Sequence, residues 1–148
     1  MNDRIAVLLI AHGSRRAEAN DDLVRLAEIL LGKHVYPIIE TAYLELAEPG
    51  ITAAAEKCIV AGAAHVKMLP YFLSAGAHVT EDLERHRREL ADRFPQVVFE
   101  LCPPLGLHSL MVEIVMDRLR VGETPRDKSV NEGSGAGDVP DDNNARGR

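Results

Sequence analysis

The chain alternates four times between a short apolar run and a longer segment whose apolar residues recur at helical spacing. The first pair is a continuous apolar run over residues 5–11, followed by a helical pattern over residues 16–31 that ends at Gly32. Unbroken apolar runs of this length are typical of strands that a parallel sheet buries on both faces. Because strand–helix alternation indicates βαβ units, we predict an α/β fold, a three-layer sandwich with a four-stranded parallel sheet.

The later elements follow the same order along the sequence. Glu48 and Pro49 begin the second helix, since proline suits the first position of a helix, and Ala61 and Gly62 end it. The remaining predicted strands are residues 35–44, 64–70 and 97–101, and the remaining predicted helices are residues 80–94 and 107–121.

The length of 148 residues fits one domain, and an apolar content of 46% is enough to form its core. We expect this domain to cover residues 1–121. Residues 122–148 are rich in Gly, Asp and Asn without periodicity, so we expect a disordered polar tail. Since the sequence has neither an apolar run of roughly 18 residues nor a signal-peptide pattern, we expect a cytoplasmic protein without a membrane partner.

Charge and cysteine content argue against two other classes of protein. The net charge of −6 and the aromatic content of 4%, without tryptophan, are unlike those of nucleic-acid-binding proteins, so we expect no nucleic-acid partner. Cys58 and Cys102 lie in apolar stretches and lack a CxxC spacing. We therefore expect two buried thiols, and neither a disulfide nor a zinc site.

Open parallel sheets bind ligands at the carboxyl ends of their strands, and this rule divides the six histidines. His12 ends the first predicted strand, His78 follows the third and His108 follows the fourth, so these three belong to the binding edge. The second strand contributes Glu45 to the same edge. The other histidines are His34 and His65, which precede strands, and His86, which we expect to be a solvated residue in mid-helix.

The stretch "AHGSRR" combines several functions at the end of the first strand. Gly13 permits a tight turn or the close approach of a ligand to the backbone. Ser14 is suited to cap the following helix, and Arg15 and Arg16 are suited to attract an anion. A histidine at this position therefore has an anion-binding environment beside it.

The stretch "LPYFLSAGAHV" repeats this plan at the end of the third strand. Small residues at 74–77 form the loop, and His78 stands where the next helix begins. The loop opens with three apolar residues, Tyr71, Phe72 and Leu73, where an ordinary loop is polar. An exposed apolar loop beside a histidine indicates a flat, apolar ligand.

Simpler interpretations of these residues stay open. A single histidine at a strand end is often a hydrogen-bonded structural residue, and His108 could simply begin the last helix. Glu45 could be a solvated carboxylate beside Glu48. The cations at residues 85–88 alternate with carboxylates and are best interpreted as surface ion pairs, which contribute little to stability.

Three separated motifs, "LLIAHGSR", "AYLELAEPGI" and "MLPYFLSAGAHVTEDL", resemble the short-form sirohydrochlorin cobaltochelatases and ferrochelatases, which are class II tetrapyrrole chelatases. The similarity runs in order from residue 4 to about residue 120. It implies a fold that is one half of a two-lobed chelatase. It also implies a homodimer, because one chain supplies only half of the cleft.

The resemblance also implies roles for particular residues. His12 would be the catalytic proton acceptor and a metal ligand, His78 the second catalytic residue and metal ligand, and Glu45 would face the substrate or the metal. Arg15 would bind the carboxylates of the substrate. The residues expected to line the macrocycle are Leu73, Ser74, Ala75, Gly76, Ala77 and His78.

The implied partners are sirohydrochlorin, an anionic tetrapyrrole of cobalamin or siroheme synthesis, and a divalent metal ion. Metal insertion must deliver the ion and remove two pyrrole protons. A neutral imidazole can bind the metal ion, and it can also accept a proton. The metal is a substrate, cobalt first with iron or nickel as alternatives, and no permanently bound cofactor is expected. Two rival functions are a non-catalytic carrier of metal or tetrapyrrole and a histidine phosphatase, although Ala11 occupies the position of the phosphatase arginine.

Overall fold

Four strands and four helices alternate along residues 4–122, the part of the chain that the computed structural model describes. The alternation predicted from the sequence is therefore confirmed. The tail expected for residues 122–148 lies outside the described residues, apart from Gly122. In chain order the elements are β1 (Ile5–Ala11), α1 (Ala17–Leu31), β2 (Ile38–Tyr43), α2 (Ile51–Val60), β3 (His65–Pro70), α3 (Ala77–Arg93), β4 (Val98–Leu101) and α4 (Ser109–Val121).

The strands form one parallel sheet in the order β2-β1-β3-β4, which confirms the predicted α/β architecture. The central strands β1 and β3 lie side by side, with Ile10 opposite Pro70. After β1 the chain turns toward β2 on one side, and after β3 it turns toward β4 on the other. The carboxyl ends of β1 and β3 therefore form a topological switch point, the place where α/β sheets of this kind bind ligands.

The core lies on both faces of the sheet, as the unbroken apolar run of β1 predicts. Alternate residues of β1 point to opposite faces, so Ala6, Leu8 and Ile10 face α2 and α3 while Val7 and Leu9 face α1. The helix residues buried against the first face are Ile51, Ala54, Ala55, Cys58, Leu83 and Leu90, and those buried against the second are Leu23 and Ala27.

The chain divides into two compact units. The first ends at His108 and holds the sheet with α1, α2 and α3. The second begins at Ser109, and its described part is α4, in which no residue is buried. Seven large apolar residues of α4 are about half exposed or more: Leu110, Val112, Ile114, Val115, Met116, Leu119 and Val121.

Two predicted element boundaries are wrong because backbone hydrogen bonds at the ends of the elements prevail over the apolar pattern. The strand expected from residue 35 begins at Ile38, since the N–H groups of Lys33 and His34 donate to carbonyls of the last turn of α1. Pro49 does not begin α2, whose N-cap is Gly50. The carbonyl of Pro49 instead accepts a hydrogen bond of 2.9 Å from the N–H of Tyr43 at the end of β2.

A third boundary concerns the candidate site directly. The helix expected from Thr80 begins at Ala77, with Gly76 as its N-cap. His78 therefore lies in the first turn of α3 and not in a loop. Helical backbone is stiffer than a loop, so α3 restricts the position of the His78 side chain.

Both cysteines among the described residues are free thiols, as expected. Cys58 is buried, and this burial raises the pKa of its thiol to about 12. Cys102 is only partly buried, against expectation, and desolvation raises its pKa by a smaller amount. Across residues 4–122, no helix is long and apolar enough to span a bilayer.

Candidate active site

A cavity of about 410 Å³ lies at the carboxyl end of the sheet and brings together three of the residues predicted from the sequence. His12 follows β1, Glu45 follows β2 and His78 lies in the first turn of α3. The volume falls within the range of ligand sites in proteins, ~300–1,000 Å³. The described residues that line the cavity are His12, Leu44, Glu45, His78, Val79 and Asp82.

Gly13 allows the loops after β1 and β2 to touch. Its φ is +94°, and a Cβ at this position would lie 1.8 Å from the carbonyl oxygen of Glu45. The N–H of Glu45 donates to the carbonyl of His12 at 3.0 Å, so the two site residues are joined through their backbones. Gly13 was expected to allow a tight turn or the approach of a ligand, and in the structure the backbone of Glu45 approaches it so closely that only glycine fits there.

Ser14 stabilises the loop after β1, although not by the predicted helix cap. Its hydroxyl accepts a hydrogen bond of 3.0 Å from the N–H of Arg16, which is itself the N-cap residue of α1 and makes no side-chain cap. The amide side chain of Asn20 accepts from the N–H of Ser14 at 3.0 Å and donates to its carbonyl at 2.8 Å. The Tyr43 hydroxyl donates to the carbonyl of Asn20 at 2.9 Å, which joins this loop to β2.

Sequence reasoning missed Asn20, because an asparagine inside a helical pattern gives no sign of bonding six residues back. It also missed Leu46, which follows Glu45 with a φ of +65°. Such a conformation is rare for a branched residue and occurs where the surrounding structure imposes it. Leu46 therefore lies in a constrained bend directly after Glu45.

The apolar loop after β3 is only partly exposed, which corrects one expectation. Tyr71 and Leu73 are 40% and 65% exposed, but Phe72 is 6% exposed. The phenyl ring of Phe72 stacks on the imidazole of His12, with 4.3 Å between the ring centroids and 27° between the ring planes. Phe72 thus contacts a site residue and leaves Tyr71 and Leu73 as the apolar surface of the loop.

The other residues expected to bind substrate lie outside this cavity. Ala75 is partly buried and lines a second, apolar cavity of about 340 Å³ together with Leu83 and Cys102. Arg15 is exposed in the loop after β1. The exposed members of the loop and helix start after β3 are Leu73, Ser74, Gly76 and Ala77. Their contact with a substrate stays a prediction.

The histidines at the opposite edge lie away from the cavity, as expected. The Nε2 atom of His65 is 2.8 Å from Oε2 of Glu100, which also accepts a hydrogen bond of 2.9 Å from Nζ of Lys67. These two partners lower the pKa of the Glu100 carboxyl. His34 lies in the turn after α1. His108, by contrast, was expected at the binding edge, and it is exposed and does not line the cavity.

Two residues of α3 differ from their predicted surroundings. His86 is only 22% exposed, and its Nδ1 atom is buried without a hydrogen-bond partner among the described residues, so it is not the solvated residue that we expected. Its Nε2 atom is 3.9 Å from Oδ2 of Asp82. Asp82 forms the expected surface ion pair with Arg85, but it also lines the cavity with His12 and His78.

The cavity therefore offers two imidazoles and two carboxylates, the donors that suit divalent first-row metals. No group of three such side chains among residues 4–122 is close enough to hold an ion by itself. An ion bound here would need further ligands from water or from a substrate.

The family model described as CbiX matches residues 6–121 of this chain. The chain belongs to the CbiX family. Among curated relatives in sequence, the chloroplastic sirohydrochlorin ferrochelatase of Arabidopsis thaliana is 35% identical over 120 residues, which are 81% of this chain and 53% of that protein. The sirohydrochlorin cobaltochelatase of Sulfolobus acidocaldarius is 29% identical over 114 residues, which are 77% of this chain and 89% of that protein.

A solved structure extends the CbiX likeness to the backbone. The sirohydrochlorin chelatase SirB from Bacillus subtilis subspecies spizizenii, in complex with cobalt, superposes with a TM-score of 0.73 at 30% identity. The match covers 80% of this chain and 50% of that one. The first three curated relatives are likewise matched over 53%, 46% and 44% of their lengths, so the chain spans about half of these longer proteins.

Proposed function

We propose that this CbiX-family chain inserts a divalent metal ion into sirohydrochlorin. The observation that carries the proposal is the convergence of His12, Glu45 and His78 on one cavity at the switch point of the sheet. The names of the relatives support the substrate, since those from Arabidopsis thaliana and Sulfolobus acidocaldarius are a sirohydrochlorin ferrochelatase and a sirohydrochlorin cobaltochelatase.

The reaction exchanges one divalent ion for two pyrrole protons. His12 and His78 bind the ion through neutral imidazole nitrogens, and the Glu45 carboxylate helps to replace its water ligands. When the ion passes to the pyrrole nitrogens, the imidazole lone pair that held it becomes free. His12 then accepts one pyrrole proton and the freed imidazole of His78 accepts the second, so ligand and base roles follow one another on the same rings.

The substrate is large compared with the cavity and extends over the surface around it. The exposed side chains of Tyr71 and Leu73 pack against the face of the macrocycle, and the small residues at 74–77 allow it a close approach. The exposed guanidinium of Arg15 pairs with a substrate carboxylate.

Cobalt is the proposed metal, with iron or nickel as alternatives for the same imidazole and carboxylate donors. SirB structures that resemble this chain contain cobalt or Fe3+. The metal is a substrate, and the protein holds no permanent cofactor. The pathway is cobalamin or siroheme biosynthesis in the cytoplasm, a location that the two free thiols support.

Two copies of the chain form the working unit. Support comes from the lengths of the relatives, since one chain matches about half of the longer chelatases. Further support comes from the exposed apolar residues of α4, which a second copy would cover.

The test is cobalt insertion into sirohydrochlorin, followed by absorbance and corrected for the spontaneous reaction. We expect His12→Ala and His78→Ala each to lower the rate at least ~100-fold, the low end for loss of a general base. The control His65→Ala removes a histidine at the opposite edge and should keep the wild-type rate. Either site variant retaining a tenth of the rate would contradict the assignment. A limit of one metal per chain would instead indicate a carrier.

A further inference from the structure

We propose that Phe72 is a positioning residue that fixes the plane of the His12 imidazole. The proposal rests on the function proposed above, because it gives His12 the roles of metal ligand and base. Its geometric basis is the stacked pair, with centroids 4.3 Å apart and planes within 27° of parallel. At this distance the rings are in van der Waals contact over much of one imidazole face.

The phenyl ring is itself held firmly, so it can serve as a fixed support. Phe72 is 6% exposed and belongs to the core cluster between the sheet and α2 and α3. Its carbonyl accepts a hydrogen bond of 3.0 Å from the N–H of Leu105, in the loop after β4. The preceding residue, Tyr71, donates its N–H to the carbonyl of Ile10 at 2.7 Å. The segment is thereby bonded on both sides of the position that bears the ring.

The plane of an imidazole determines where its ligands can lie, because the lone pair of the unprotonated nitrogen and the N–H bond of the other nitrogen both point outward within that plane. The final torsion of a histidine side chain is broad, so an exposed histidine at a strand end samples many planes. His12 is exposed and loses this freedom only through its contacts. Stacking on Phe72 covers one face of the His12 ring, and His12 also lines the cavity shared with His78.

Phe72 also relates the two proposed ligands to each other. It lies six residues before His78, on the segment that leads from β3 into α3. The same segment therefore carries one ligand in a helical turn and orients the other by contact. A displaced loop would change the distance and direction between the two imidazoles at once.

The experiment compares Phe72→Leu with the matched control Phe99→Leu, which makes the same change at a core residue that is 5% exposed. We expect Phe72→Leu to weaken Co2+ affinity and lower kcat by about 3- to 10-fold, as loss of an aromatic pair implies, with KM for sirohydrochlorin unchanged. Phe99→Leu should change neither Co2+ affinity nor kcat. Equal effects of the two variants would overturn the proposal and indicate a merely structural role.

A double-mutant cycle with His12→Ala separates this proposal from the proposed function. Phe72→Leu should have no further effect on Co2+ affinity once His12 is absent, and an unchanged additional loss would overturn the positioning role. If His12→Ala alone keeps the wild-type Co2+ affinity, the proposed function fails first. If His12→Ala loses affinity but Phe72→Leu does not, only the positioning role fails.

Wild-type protein supplies a measurement that does not depend on the folding of any variant. The ring protons of His12, assigned through their scalar connections to the His12 backbone, should resonate upfield of those of His34 because they lie over the phenyl ring. They should also show nuclear Overhauser effects to the ring protons of Phe72. Unshifted His12 resonances without these effects would overturn the stacked geometry.

Discussion

At the residue scale, the candidate active site requires glycine at position 13 because there is no room for a Cβ atom. The Glu45 carbonyl oxygen occupies the place where a side chain at residue 13 would begin. Since the backbone N–H of Glu45 also bonds to the carbonyl of His12, any displacement there moves the carboxylate relative to the imidazole. Gly62 has a similar φ of +100° but no atom within 4 Å of its ideal Cβ, which makes it a matched control.

We expect Gly62→Ala to lower the free energy of unfolding by about 1–2 kcal/mol, the cost of a left-handed conformation for alanine. Gly13→Ala should lower the free energy of unfolding by a further ~1–3 kcal/mol, because its Cβ clashes with the Glu45 carbonyl oxygen. Of the two variants, only Gly13→Ala should lower the insertion rate. Urea unfolding and the insertion assay together check this. Equal unfolding and equal rates for the two variants would show that the loops do not need their close contact.

The two thiols should differ in reactivity. Burial raises the pKa of Cys58 to about 12, so only about one thiol in ten thousand is ionised at pH 8. Desolvation raises the pKa of the partly exposed Cys102 less, which leaves more thiolate there. We expect iodoacetamide at pH 8 to label Cys102 slowly and Cys58 only after unfolding, as mapped by peptide mass spectrometry. Rapid labelling of Cys58 in folded protein would contradict its burial.

At the scale of elements, the sequence predicts what depends on long apolar periodicity. The unbroken apolar run at residues 5–11 predicts a strand buried on both faces, and the structure confirms it. The edge rule places His12, Glu45 and His78 at one cavity, but His108, which it assigned to the same edge, does not line that cavity. The strand prediction holds because burial of whole elements outweighs local preferences.

Features that depend on one hydrogen bond or one contact could not be predicted in this way. Pro49 fits the start of a helix by its own conformation, yet its carbonyl bonds to Tyr43 and the helix begins later. Phe72 belongs to an apolar loop that the sequence predicts to be exposed, but it is buried and stacks on His12. Asp82 has the spacing of a surface ion pair and also faces the cavity. Each outcome depends on a partner that is distant in sequence.

The exposed apolar residues of α4 lead to a prediction at this scale. If a second copy covers α4, a charge placed there should separate the copies without unfolding the chain. We expect Leu119→Glu, at a residue 68% exposed, to reduce the mass in light scattering from about twice 16.2 kDa to that of one chain. The control is Val60→Glu on α2, at a residue 89% exposed, which should leave the mass unchanged. An unaltered mass for Leu119→Glu would exclude this residue from the contact.

At the scale of the whole molecule, the question is whether one chain contains all parts of the proposed active site. His12, Glu45 and His78 line one cavity of one chain, so the proposed metal ligands do not require a second copy. The longer relatives nevertheless contain about twice the length that this chain matches. A second copy would then supply the opposite wall of a cleft, which confines the macrocycle, while the reacting groups stay within one chain.

If one chain carries the reacting groups and a second copy confines the substrate, activity should depend on protein concentration. Insertion per chain should fall on dilution below the dissociation constant of the pair, because a lone chain keeps its metal ligands but loses the wall that confines the substrate. An excess of His12→Ala chains should then restore the rate of dilute wild-type chains, since the inactive copy still provides that wall. His12→Ala combined with Leu119→Glu should not restore it. A rate per chain that stays constant through dissociation, measured by light scattering on the same samples, would mean that one lobe completes the reaction alone.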